Sequence, residues 1–199
     1  LIDAATYQKD AEEFWPERIA KIYLRYQEAL QKANALDFDD LIMLTVSLFL
    51  KEPDVLEKYQ SRWPYILVDE AHDTNLSQYK LINLLAQKNR NICLIADIDQ
   101  SIYSWRGADF RNILNFERDY PETKVVFLEE NYRSTKNILE ASHQVIVKNK
   151  ERKEKKLWTE NPTGEPIQII EVKDEEEEGE FIVQEINNMF QVSRLPDGQ

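Results

Sequence analysis

Glycine is scarce in this chain. It occurs four times in 199 residues, at positions 107, 164, 179 and 198. None of the four begins a GxxxxGK[ST] pattern, so the chain carries no glycine loop of the kind whose backbone N–H groups cradle nucleotide phosphates. Cysteine occurs once, which excludes an internal disulfide and a cysteine-based zinc site. Cys93 lies in "NICLIAD", where a buried structural thiol is expected and a reducing compartment is implied. No apolar run approaches the roughly 20 residues that span a bilayer. The opening stretch, "LIDAATYQKDAEEFW", lacks both an initiator Met and the pattern of a signal peptide, so Leu1 is expected to be a cut point inside a longer protein.

Positive charge is also in deficit, with a net charge of −12. Taken alone, this argues against binding nucleic acid by bulk electrostatics. The charge is uneven, however. "KNKERKEKKLW", Lys148 to Trp158, holds six basic and two acidic residues, and "KDEEEEGE", Lys173 to Glu180, is an acidic block. Both read first as solvated helix ends and loops, although the basic strip could touch phosphates locally.

What is present is a regular succession of periodicities. From Glu17 to Ala33, the positions Ile19, Ile22, Tyr23, Tyr26, Leu30 and Ala33 recur at helical steps. A second helix, capped by Asp37, follows with Phe38, Leu41, Ile42, Thr45, Leu48 and Phe49 on its apolar face, and Pro53 is expected to close it. Then the period changes. "YILVD" (Tyr65–Asp69) is a continuous apolar run suited to a strand covered on both faces. "NICLIAD" (Asn91–Asp97), "KVVFLE" (Lys124–Glu129) and "PIQIIEV" (Pro166–Val172) read as further strands. Helical patterns lie between and after them: one around Tyr79–Ala86, one capped by Asp109, one capped by Ser134, and "EFIVQEINNMF". Such alternation predicts an α/β fold with a mostly parallel sheet and flanking helices.

Ligands of open α/β sheets gather beyond the carboxyl ends of the strands. Here those ends carry Asp69-Glu70, Asp97 with Asp99-Gln100, and Glu129-Glu130 before Asn131-Tyr132-Arg133. Polar residues end strands in most proteins, but three such ends together outline a site. Two adjacent acids on a rigid strand can divide the work of nucleotide hydrolysis, Asp69 toward Mg²⁺ and Glu70 toward the attacking water. Gln100 sits where an amide can read a γ-phosphate. Trp105, beside Tyr103 and Arg106, either stacks on an unpaired base or packs beneath its loop. Arg133 either neutralises a transferring phosphoryl group or forms an ordinary ion pair. Tyr132 either stacks on adenine or joins the core.

Four stretches, "LDFDDLIM", "ILVDEAHDTN", "DQSIYSWRGAD" and "NYRST", resemble in order and spacing the UvrD/Rep/PcrA family of superfamily 1 DNA helicases. "LWTENPTGEPI" is similar to the sequence that follows the last of these. The resemblance implies a RecA-like P-loop NTPase fragment that lacks its phosphate-loop strand. It implies ATP and Mg²⁺, coupled to 3′-to-5′ movement on single-stranded DNA, with DNA junctions and repair or replication proteins as partners and the cytoplasm as location. Residue by residue, it implies Asp69 for the metal through water, Glu70 for water activation and Gln100 for the γ-phosphate. It further implies Tyr103, Trp105 and Arg106 for the DNA path, Tyr132 near adenine and Arg133 as an arginine finger. Residues 1–35 would end an inserted helical domain, 36–130 continue the first RecA-like domain, and 131–199 begin the second.

Two positions depart from the family's usual pattern: His72 stands where Gln is common, and Ala96 where Gly is. His72 is a weak metal ligand, because the other histidine, His143, falls on a separate helix. An imidazole can donate or accept like an amide, but its charge depends on pH, so coupling between nucleotide and DNA is expected to change. The chain alone is expected to hydrolyse no ATP and to pair with copies of itself through strand edges. A non-catalytic binding module and part of a helicase–nuclease subunit are the alternatives.

Overall fold

The computed structural model describes residues 2–149 and 155–192. The middle of the basic strip, residues 150–154, lies outside the described residues. The chain divides into two compact units, with the boundary along the chain between Phe127 and Leu128.

The first unit begins with two helices. α1 (Ala4–Asp10) is capped by Asp3, whose carboxylate accepts the Thr6 N–H at 2.7 Å. α2 (Phe14–Lys32) starts three residues before the periodic pattern does. α3 (Phe38–Lys51) begins at Asp37 as expected, and the cap is reciprocal. Asp37 accepts from the Asp40 N–H at 2.8 Å, and Asp40 accepts from the Asp37 N–H at 3.3 Å. This satisfies two otherwise orphaned donors. Pro53 ends nothing beyond α3; it is the first residue of α4 (Pro53–Arg62), where its fixed φ and missing N–H are tolerated.

A βαβ unit follows. β1 (Ile66–Val68) leads through a 3-10 turn at Ala71–Asp73 into α5 (Leu76–Ala86) and then β2 (Ile92–Leu94). The strands run parallel, with Ile66 opposite Ile92, Leu67 opposite Cys93 and Val68 opposite Leu94. α5 opens on a second reciprocal cap, formed by Asn75 and Gln78. α6 (Arg111–Asp119) closes the unit.

α5 is the centre of the packing, because it carries apolar residues on two sides. On one side Tyr79 and Ala86 join Phe116 and Tyr120, with Ile66, Ile92 and Leu94 of the sheet packed against them. On the other side Leu84 joins Val46 and Phe49 of α3, flanked by Val55, Leu56 and Tyr59 of α4. Gln60, itself buried, donates to the Leu84 carbonyl at 2.7 Å and so ties α4 to α5.

The two-sided burial expected of the strands does not hold. Side chains alternate across a strand, so Ile66, Ile92 and Leu94 face the core while Leu67 and Cys93 share the opposite face. Leu67 is 73% exposed, and Cys93 is exposed rather than buried. No described residue packs over that face closely enough to bury it.

Nor do "KVVFLE" and "PIQIIEV" form strands. A strand exists by exchanging backbone hydrogen bonds with a neighbour, and these runs have no ladder partner among the described residues. Leu128 and Ile169 remain 82% and 96% exposed. The pairing nearest to them is a single parallel bridge from Glu130 to Trp158.

In the second unit, α7 (Lys136–Ile146) starts after Thr135, not Ser134, and no side chain caps it. A distant segment supplies the acceptors instead. The Lys136 and Asn137 N–H groups donate to the carbonyls of Pro162 and Thr163, at 3.2 and 3.1 Å. Asn161 donates to the Ser134 carbonyl at 3.1 Å. The approach is close enough that a Cβ on Gly164 would meet the Thr135 side chain at 2.5 Å. α8 (Glu175–Val192) takes the acidic block as its first turn, where carboxylates complement the helix dipole.

Candidate functional site

β1 delivers Asp69 and Glu70 at its carboxyl end, both exposed. The chain turns sharply there. Glu70 sits in the left-handed region (φ 49, ψ 41), which bulky residues rarely adopt. Two hydrogen bonds from backbone N–H groups hold the turn: the Glu70 N–H donates to the Asp69 side-chain Oδ1 at 3.0 Å, and the Ala71 N–H donates to the Ile95 carbonyl at 2.9 Å. The second bond extends the β1–β2 pairing past the strands and brings the two strand ends side by side.

Gln100 lies in a short 3-10 turn, Ile98–Gln100, just past β2. Its Nε2 donates to Asp97 Oδ2 at 2.8 Å, while the Asp99 N–H donates to Asp97 Oδ1 at 3.0 Å. Asp97 thus fixes the turn and holds the exposed amide. Asp69, Glu70, Asp73, Asp97 and Asp99 all lie at or just past these two strand ends. A concentration of carboxylates there favours a cation or donors from a ligand. Among the described residues no group of three or more His, Cys, Asp or Glu side chains forms a metal cage. A single exposed carboxylate is nevertheless what Mg²⁺ uses when waters and phosphates supply its other oxygens.

His72 is almost wholly buried behind this turn, at 2% exposure. The sequence offers it as a poor metal ligand, and its actual neighbours are protein groups. Nδ1 accepts the Asp97 N–H at 3.0 Å, and the His72 carbonyl accepts from Ser101 Oγ at 3.3 Å. Nε2 lies 3.4 Å from Glu70 Oε2 and 3.7 Å from Asp73 Oδ2.

The aromatic loop is attached to the same turn. Tyr103, Trp105 and Arg106 surround a 3-10 turn at Ser104–Arg106 that ends at Gly107 in the left-handed region (φ 84). Trp105 is 77% exposed, so packing beneath the loop is not its place. The Arg106 guanidinium lies 5.5 Å from the Trp105 ring and 5.8 Å from the Tyr103 ring, within cation–π range. Beyond Gly107 the chain returns to the acidic turn. Ala108 bridges Asn75, and the Asp109 N–H donates to the Thr74 carbonyl at 3.1 Å. Asn112, 1% exposed, donates to that same carbonyl at 2.9 Å. Asp109 stands one residue before the cap position of α6, which Phe110 occupies. It accepts the Arg111 N–H at 3.0 Å, and its hydrogen bonds from the Arg111 side chain hold its carboxyl below the usual range.

One continuous strip, residues 70–75, therefore touches both the Gln100 turn and the aromatic loop. Sequence reasoning assigns no role to Asn112, Thr74 or the buried contact of His72. Nothing local marks an asparagine in the first turn of α6 as a clamp to a segment 38 positions earlier.

Tyr132 and Arg133 belong to the second unit. Tyr132 is 79% exposed, which rules out a core position. Its hydroxyl donates to Glu130 Oε2 at 2.6 Å, and that bond raises its pKa above the ordinary tyrosine value. The Asn131 side chain accepts the Arg133 and Ser134 N–H groups, at 3.0 and 2.7 Å, and so shapes the turn. No side-chain hydrogen bond or ion pair engages the Arg133 guanidinium among the described residues.

The chain's similarity to known proteins agrees with this arrangement. Residues 2–121 match the UvrD/REP helicase N-terminal domain, and residues 126–196 match the UvrD-like helicase C-terminal domain. The chain is 55% identical over 179 residues to an ATP-dependent DNA helicase PcrA of Staphylococcus epidermidis, covering 90% of this chain and 25% of that protein. It is 53% identical over 182 residues to the PcrA of Staphylococcus aureus, covering 92% of this chain and 25% of that protein. The chain thus spans about a quarter of the length of the curated relatives it matches. With both matches falling in order along the chain and together taking in the acidic turn, the aromatic loop and the Tyr132-Arg133 turn, the chain belongs to the UvrD/REP helicase family.

Proposed function

We propose that this chain is part of an ATP-dependent motor that moves 3′ to 5′ along single-stranded DNA and engages DNA junctions. In this reading, residues 1–35 end an inserted helical domain, 36–130 continue the first RecA-like domain and 131–199 begin the second. Glu70 takes the proton of the attacking water. Gln100 leaves Asp97 to contact the γ-phosphate. Tyr132 stacks beside adenine, and Arg133 neutralises charge on the transferring phosphoryl group. Asp69 would hold Mg²⁺ through water, and the ion would supply charge neutralisation at the phosphates. Tyr103, Trp105 and Arg106 line the path of the single strand, with Trp105 stacking on a base. The protein works in the cytoplasm, beside repair or replication proteins.

The observation that carries this reading is the strip at residues 70–75. It is bonded to the Gln100 turn through His72 and to the aromatic loop through Thr74 and Asn75. A change in the nucleotide site therefore has a direct covalent and hydrogen-bonded route to the aromatics. Coupling of hydrolysis to movement needs such a route.

The test uses the intact protein that carries these residues. Glu70→Gln is expected to bind ATP with near-normal affinity and to lose about 10²- to 10⁴-fold in turnover, the usual contribution of a general base. Turnover close to wild type would remove Glu70 from that role. The present chain by itself is expected to hydrolyse no ATP, since it has no GxxxxGK[ST]. DNA-stimulated hydrolysis by the purified chain would contradict this. Its uncovered Leu67–Cys93 face and open strand edges support self-association of the isolated chain. Sedimentation at several concentrations reads this directly, and a monomer throughout would refute it.

A further inference from the structure

His72 is buried at the centre of the acidic turn, and the proposed reaction gives it no task. Its hydrogen bonds define its chemical form. Because Nδ1 accepts the Asp97 N–H at 3.0 Å, the lone pair is on Nδ1 and the proton of the neutral ring is on Nε2. That Nε2–H lies beside two carboxylates, 3.4 Å from Glu70 Oε2 and 3.7 Å from Asp73 Oδ2. The Glu70 side chain is 66% exposed, and no side-chain hydrogen bond restrains its carboxylate among the described residues. Its backbone is in the left-handed region at φ 49, a conformation bulky residues rarely adopt. Asp73 Oδ1, on the same turn, is buried without a hydrogen-bond partner.

We infer that His72 is a positioning residue for Glu70: its Nε2–H orients the Glu70 carboxylate, and its Nδ1 anchors that carboxylate to the Asp97 segment that carries Gln100. The inference rests on the reading of Glu70 as the base. A 3.4 Å separation is long for a hydrogen bond, and orientation of Glu70 requires it to shorten as the catalytic complex assembles, as such bonds do. His72 touches neither nucleotide nor water in this scheme. It acts through Glu70, as the orienting third group of a hydrogen-bonded relay does. A glutamine at this position has one acceptor and two donors and can serve both sides; alanine can serve neither.

The experiment compares His72→Ala, His72→Gln, Glu70→Gln and the double variant His72→Ala/Glu70→Gln in the intact protein, by single-turnover and steady-state ATP hydrolysis. His72→Ala is expected to lower kcat by about tenfold or more with KM for ATP within about twofold, since an unoriented base affects turnover more than binding. His72→Gln is expected to stay within about threefold of wild type. In the Glu70→Gln background, His72→Ala is expected to remove little more, because the residue it acts through is already gone. Multiplicative losses in the double variant would overturn the inference, as would His72→Gln as slow as His72→Ala, which marks a packing role. A His72→Ala kcat within twofold of wild type alongside an inactive Glu70→Gln would sink the His72 inference alone. A fully active Glu70→Gln would sink the reading of Glu70 beneath it.

Discussion

Replacing Trp105 with alanine separates binding from folding more cleanly than any other change in the aromatic loop. Trp105 is 77% exposed, so about a quarter of its surface is covered, roughly 60 Å² of the ~250 Å² that a tryptophan can bury. At ~25 cal/mol/Å² this limits the loss of stability to about 1.5 kcal/mol, and the compactness of real unfolded chains lowers it further. The exposed remainder is what a base would cover. Stacking of a base on an aromatic ring contributes about 1–3 kcal/mol, which is a roughly 5- to 150-fold increase in Kd on removal. The assay is fluorescence anisotropy with a labelled single-stranded oligonucleotide and the intact protein, at several salt concentrations. The change should weaken binding by a similar factor at every salt, because a stacking contact releases no counterions. Arg106→Ala is the control, and it should reduce the slope of log K against log salt by about one if its guanidinium meets a phosphate. Unchanged affinity of Trp105→Ala at matched salt would refute the stacking argument. An affinity loss that appears only together with a large drop in melting temperature would refute it equally, because the exposure of the ring allows no such drop.

Three other changes probe the framework behind the site. Asn112→Ala removes a buried donor to the Thr74 carbonyl, which keeps its bond from the Asp109 N–H. It should destabilise locally by about 1 kcal/mol, seen as faster amide exchange at 109–116, and unchanged exchange there would contradict the clamp. Asp37→Ala breaks the reciprocal cap of α3 and the bond from the Tyr26 hydroxyl. The expected cost is about 0.5–2 kcal/mol of stability by denaturant titration, and a neutral result would show that the cap contributes nothing. Tyr79 is buried and hydrogen-bonded to Asp119, and desolvation pushes its pKa up to about 12 from an ordinary 10. Between those two values the folded state keeps a proton that the unfolded chain releases. Its stabilisation is therefore complete below pH 10 and lost as pH rises toward 12. Tyr79→Phe should flatten the fall in stability over that window, and an unaltered alkaline profile would count against the shift.

The parts of this molecule legible in the sequence are those whose signal is local. Asp37 and the helix behind it are found because a cap and its partner lie three residues apart, and the βαβ unit because apolar runs and helical periods alternate. The residues of the acidic turn and aromatic loop stand out because acids at a strand end and a tryptophan in a polar loop are chemically conspicuous; that Trp105 is exposed rather than packed beneath the loop comes from the structure. The misreadings share a cause that is not local. "KVVFLE" and "PIQIIEV" have the composition of strands, but a strand is a relation between two segments, and composition cannot supply the second one. Cys93 and Leu67 look buried for the same reason, since an apolar residue is buried only if something lies over it. At α7 the cap expected from Ser134 is replaced by carbonyls of Pro162 and Thr163, more than 25 positions away.

His72 shows where the boundary falls within the site itself. The sequence places it beside the acids at the end of β1, because its position in the motif is a local fact. It cannot show that Nδ1 meets the Asp97 backbone while Nε2 lies beside Glu70, because both contacts depend on β1 and β2 being parallel and in register. The register puts Val68 opposite Leu94, and the Ile95 N–H and carbonyl carry the pairing on to Val68 and Ala71 before each chain enters its 3-10 turn. A slip of one residue would carry Asp97 away from the ring and leave a buried imidazole with an unsatisfied nitrogen. The ring therefore reinforces the register that creates its own site. The same pairing that fixes the fold also fixes the distance between the proposed base and the proposed phosphate sensor, and substitutions in the exposed strand faces that disturb register should slow hydrolysis without touching a single acid.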